Sequence, residues 1–207
     1  MRVEPIKGKI STWDGDCMLS NGFPFVNEEI VNRAVSNIPF ETYNNIKIRF
    51  TNDMNIEYLM GQTKICFPYR LYTAEIKDSI LSKLDFTERM VLHCIYSRSC
   101  NGFVREKHIT ALLEENSPDW VMPYVVKVCD EYIVEILQVV YENLKDKNTD
   151  KFKSFCAENR ATFCRSYNRM ISYWNGFYRN DCYRYKDYVG HKLFIECFGA
   201  KRTMGLF

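Results

Sequence analysis

WVMPYVVKVCDEYIVEILQVVYENL, residues Trp120 to Leu144, is the stretch on which the reading of the fold turns. Val121, Val125, Val128, Tyr132, Ile136, Val140 and Leu144 recur at steps of three and four, flanked by Tyr124, Ile133 and Leu137. Lys127, Asp130, Glu131, Glu135, Gln138 and Glu142 fall on the other side. That period belongs to an amphipathic α-helix, and it predicts one long helix burying Val125, Tyr132, Ile136 and Val140. Pro123 stands early enough to be tolerated, Ser117-Pro118-Asp119 reads as the start, and Lys145-Asp146-Lys147-Asn148 as a polar connector beyond the end. This is the most apolar segment of the chain, yet Lys127, Asp130, Glu131 and Glu135 interrupt it too deeply for a membrane span.

The same period extends to both sides. Upstream, Ala74 to Leu84 reads as a short helix. Asp85-x-x-Glu88 has capping-box spacing ahead of an apolar face of Met90, Val91, Cys94 and Ile95. Asn101-Gly102 breaks that helix, and Phe103 to Glu115 forms the next. Downstream, a helix capped near Asn148 or Thr149 carries Phe152 and Phe155. Another aligns Phe163, Tyr167, Met170, Ile171, Trp174 and Tyr178 and stops at Asn180-Asp181. Tyr183 to Gly190 reads as an aromatic-rich loop, and His191 to Phe198 as a short final element.

The first 72 residues read differently. Asn27 caps a helix with Glu28 and Glu29 in its first turn, stopped by Pro39. Ile46 to Phe50 alternates as a half-buried strand does. Ile56 to Met60 and Lys64 to Tyr72 look extended around a Gly61-Gln62 turn, with Pro68 marking an edge or a break. The expected fold is therefore α+β and predominantly α. A small sheet and helix (residues 1–72) pack on a larger helical body (residues 73–207), a bundle or stacked helix pairs, in one continuous unit.

At 207 residues, with 46% hydrophobic and 15% aromatic side chains, the chain can bury a sizeable core without disulfides or metal. Nine cysteines, an odd number widely spaced and without a CxxC pair, predict free thiols and a cytoplasmic address. Neither Met1-Arg2-Val3-Glu4-Pro5 nor Thr203-Met204-Gly205-Leu206-Phe207 has the features of a secretory signal or a lipidation site. The small net charge of +2 conceals a basic end, because residues 151–207 carry eleven basic against four acidic side chains.

Gly102-Phe103-Val104-Arg105-Glu106-Lys107-His108-Ile109-Thr110-Ala111-Leu112 resembles the inner helix of a HEAT-type repeat through Val104, Arg105 and Leu112. His108 replaces the small residue of that motif. Ile133 to Leu137 echoes it without the Arg, so the resemblance covers about residues 85–144. It implies stacked helix pairs whose exposed face binds partners.

Catalytic and metal signatures are sparse. His93, Cys94, Cys100 and His108 are zinc-type ligands at a spacing that matches no finger, so no metal and no cofactor is expected. Asp14-Gly15-Asp16 suits a turn, and Glu131 with Glu135 suits a solvated helix face, or one awaiting a basic partner. Arg184 and His191 stand in an R-x6-H arrangement that resembles the ribonuclease signature of HEPN domains, which implies RNA cleavage as an alternative function. The leading expectation is non-catalytic binding of a protein partner through Arg165, Arg169, Arg179, Tyr183, Arg184, Tyr185 and Lys186. Arg and Tyr anchor interfaces, and the same residue types would also serve RNA.

Overall fold

The computed structural model describes residues 19–39, 41–43, 46–48, 55–114 and 117–201. Asp14, Asp16, Cys17, Arg49, Phe50, Glu115 and the last six residues lie outside the described residues. Helix α1, Glu28–Ser36, starts where the Asn27 side chain accepts the Glu29 N–H at 2.8 Å, and it buries Val31, Ala34 and Val35. Two antiparallel hairpins follow in place of one small sheet: β1 (Glu41–Tyr43) with β2 (Ile46–Ile48), and β3 (Asn55–Met60) with β4 (Thr63–Pro68). Met60 pairs with Thr63, so Gly61 and Gln62 alone make the turn, at φ 56° and 69°. Positive φ at both positions gives a turn whose twist matches the strands. The Glu158 carboxylate accepts both turn N–H groups, at 3.2 and 3.0 Å.

The helical body begins with α2, only Asp78–Leu81 of the longer helix expected there. The capping box is present: Asp85 accepts the Glu88 N–H and Glu88 accepts the Asp85 N–H at the start of α3, Phe86–Tyr96. Asn101 caps α4, Gly102–Leu112, which packs against α3 while α1 covers α3 from the other direction. A Cβ on Gly102 would meet Ile133 Cδ1 at 2.7 Å, so the start of α4 lies close against the Ile133 side chain.

The helix expected over 120–144 is two helices. A 3-10 turn, Asp119–Val121, leads into α5, Met122–Val128, and α6 begins afresh at Val134 and runs to Leu144. Val125, Ile136 and Val140 are buried as expected, but Tyr132 is 51% exposed while Asp130 and Glu131 are buried. The Tyr178 hydroxyl stabilises the break, donating to the Tyr132 carbonyl and accepting the Val134 N–H at 3.3 Å. A remote side chain thus satisfies the orphan N–H of α6 that no local cap reaches.

Helices α7 (Asp150–Glu158) and α8 (Arg160–Tyr173) follow, with a π-helical turn at Trp174–Tyr178. The Tyr183–Gly190 region is more ordered than a loop: it holds a 3-10 turn, Tyr185–Asp187, and buries Tyr188 against Tyr178. The last element is α9, Val189–Lys192, continued by a π-helical turn at Leu193–Cys197. Phe194 stacks on both Phe163 and Tyr167 of α8, each at 5.5 Å between centroids. One cluster of buried side chains runs from Leu19 to Ala200 and joins β3, β4 and the helices, so the fold is predominantly α with a small β part.

Candidate binding cleft and aromatic face

The break between α5 and α6 turns two neighbouring acids inward. Glu131 Oε1 accepts from Arg70 at 2.6 Å and Arg98 at 3.1 Å, and Arg105 Nε stands 2.9 Å from Oε2, within ion-pair distance but off the hydrogen-bond line. Arg98 also donates to the Tyr69 carbonyl at 2.7 Å, and Arg105 to the Ser99 carbonyl at 2.7 Å. Burial acts to raise the Glu131 pKa, but Arg98, Arg70 and Arg105 outweigh it and hold the carboxyl below its ordinary range. The charges are unequal here, with three guanidiniums around one carboxylate. The expectation of a solvated Glu131 on the face of Glu135 is corrected: Glu135 is exposed and Glu131 is the counter-ion of a buried basic cluster.

Asp130 faces a second group. Lys127 Nζ approaches its two oxygens at 2.7 and 2.5 Å, Ser166 Oγ donates at 2.8 Å, and Arg169 stands at 4.0 Å. Burial, opposed by Asp130, pushes the Lys127 pKa down to about 8. The two groups meet at the Tyr69 ring, with Arg70, Lys127, Arg98 and Arg169 at 4.7, 5.1, 5.8 and 5.9 Å from its centroid.

Beside Asp130 a cleft of about 770 Å³ opens between β3 and the first turns of α8. Asn159 fixes its width: the side-chain amide accepts the Leu59 N–H and donates to the Leu59 carbonyl, each at 2.7 Å. Arg160, Arg165 and Arg169 line one wall, and Tyr58 and Lys127 lie at the buried end.

The expected partner-binding residues divide between two places. Arg165 and Arg169 enter the cleft. Arg179 lies near Trp174 and Tyr183 at 6.0 and 5.9 Å, and Tyr183 and Lys186 are exposed. Arg184 pairs with Asp187 at 2.6 Å, and Tyr185 packs inward on Trp174 and edge-on against His191, with its hydroxyl buried. Tyr185 is therefore half-buried, with its ring packed inward and less open than Tyr183. Sequence periodicity missed a nearby aromatic face: Tyr132, Tyr173 and Phe177 pack on one another with centroids 6.1, 6.2 and 6.1 Å apart. Its signal was present in the spacing of Arg165, Arg169, Tyr173 and Phe177, each four residues on from the last.

Of the four zinc-type residues, the antiparallel packing of α3 on α4 brings the two histidines together, with Nδ1 atoms 2.8 Å apart. Cys94 is buried and Cys100 is exposed. Glu75 lies 3.3 Å from His108 Nε2, which favours a proton there and makes His93 Nδ1 the donor to His108 Nδ1. Burial pushes both imidazoles down to about 4, and His108 adds to the effect on His93. Among the described residues no group of three metal-type side chains is placed to hold an ion, and no helix is long and apolar enough to cross a membrane. Compared with family models, with curated proteins and with solved structures, the chain gives no match.

Proposed function

We propose that this is a non-catalytic binding protein that holds a protein partner on the face of Tyr132, Tyr173 and Phe177, with Arg179 and Tyr183 in support. The observation that carries this reading is the exposure of the packed rings: Tyr132 is 51% and Phe177 64% exposed, although each has aromatic neighbours. Contiguous aromatic surface is costly to leave in water and typifies interface anchors. A HEAT-like use of the helix pairs over residues 85–144 fits such a role, since the exposed side of stacked helices is where partners sit. The eight described cysteines are free thiols, which supports a reducing, cytoplasmic setting.

RNA binding, or HEPN-like cleavage through Arg184 and His191, ranks second. Arg184 already has Asp187 as its counter-ion, whereas Arg160 and Arg165 line the cleft instead. The experiment is photo-crosslinking in the native host from a benzoyl-phenylalanine placed at position 177, with Tyr72, also exposed, as the control position. The expected result is a discrete protein adduct from position 177 that survives nuclease treatment. An adduct to nucleic acid, or a pattern no different from position 72, overturns the reading.

A further inference from the structure

We infer that the cleft between β3 and α8 binds a small phosphorylated molecule of about nucleotide size, with Arg160, Arg165 and Arg169 taking its phosphate oxygens. The acids of the cleft are already engaged. Glu57 pairs with Lys64 at 2.7 Å, Glu158 accepts the N–H groups of the Gly61–Gln62 turn, and Asp130 is held by Lys127 and Ser166. Among the described residues Arg165 has only Thr162 of its own helix, at 2.9 Å, and Arg169 stands at the outer limit of an ion pair with Asp130 and donates a long bond to the Tyr69 hydroxyl at 3.4 Å. Guanidinium groups in this state present paired donors suited to phosphate.

A further feature favours the same ligand. The first turn of α8 lines the cleft without a side-chain cap, because Asn159 is committed to Leu59 and Phe155, so the positive end of a fourteen-residue helix faces the site.

Size points to a small molecule. The volume of about 770 Å³ is in the range of small-ligand pockets. The site shares no residue with the aromatic face, so either reading can fail without the other.

The test is calorimetric titration of the full chain with ATP, inorganic pyrophosphate, adenosine and an oligouridylate, in the wild type and in the double variant Arg160→Gln, Arg165→Gln. Both arginines are exposed, and the unliganded melting temperature verifies that the variant folds. ATP is expected to bind, pyrophosphate to compete with it and adenosine to fail, with the double variant weakened about ten-fold or more. The inference is overturned by no ATP binding at millimolar concentration, by equal binding of adenosine, or by a folded double variant that binds as the wild type does. Oligouridylate binding tighter than ATP, with a steep salt dependence, would equally overturn it and make the cleft an RNA site.

Discussion

Glu131 supplies the negative charge on which three arginines from distant parts of the chain converge. Removing one partner from a buried pair leaves charge that water cannot reach, which typically costs about 3–5 kcal/mol. Glu131→Gln is therefore expected to lower the unfolding midpoint as severely as Ile136→Ala, for which a buried truncation costs about 2–5 kcal/mol. Glu135→Ala, on the exposed side of α6, should leave the midpoint nearly unchanged; a Glu131→Gln protein as stable as Glu135→Ala would refute the counter-ion role. The histidine pair makes a second residue-scale prediction. Both imidazoles titrate at about 4 in the folded protein, against an ordinary value of 6.5, with Glu75, Lys107, Asp78, Arg89 and the Tyr96 ring around them. Because the folded pKa is the lower one, the unfolded chain binds more protons between these values. Stability should be fully present above pH 6.5 and fall as the pH drops toward 4, by on the order of 3 kcal/mol for one imidazole. Melting curves across that window measure it, and replacing both histidines by Phe should flatten the dependence.

At the scale of elements, the start of α6 depends on a residue 44 positions away. Tyr178 comes from the π-helical turn after α8, and its hydroxyl closes the gap between the Tyr132 carbonyl and the Val134 N–H. Tyr178→Phe keeps the ring against Tyr188 and removes only those two bonds. It should cost about 1–2 kcal/mol in urea unfolding, the scale of a lost cap, and should increase hydrogen exchange at Val134 and the next residues of α6. Unchanged exchange there would mean that the break is held by Asp130 and Glu131 alone. The β3–β4 turn shows the same dependence, since Gln62 holds a positive φ while Glu158 of α7 accepts its N–H.

At the scale of the molecule, the basic side chains of the described residues 151–201 are distributed and not gathered into one patch. Arg160, Arg165 and Arg169 open on the cleft, while Arg179 lies over the aromatic end and Arg184 is neutralised by Asp187. The cleft and the aromatic face occupy different stretches of α8 and its continuation, so phosphate binding and partner capture are expected to be lost independently. Phe177→Ala should retain ATP affinity, and the arginine variant should retain the crosslink from position 177.

Local chemistry alone determined much of this protein. The Asn27 cap, the Asp85–Glu88 capping box and the Asn101 cap follow from interactions within a few residues, and the apolar period alone marks Val125, Ile136 and Val140 for burial. Arg165 and Arg169 were also legible as a basic pair one turn apart, although the cleft they line was not. The break at 129–133 was decided only by tertiary structure. Periodicity ranks Tyr132 as core and Glu131 as surface because it compares side chains with water alone. In the folded chain, Arg70, Arg98 and Arg105 provide a better environment for Glu131 than water does, and Tyr132 turns outward as the acids turn in. Three charges brought together over 61 residues of sequence outweigh the hydrophobic gain from one tyrosine, and a local pattern contains no term for that encounter.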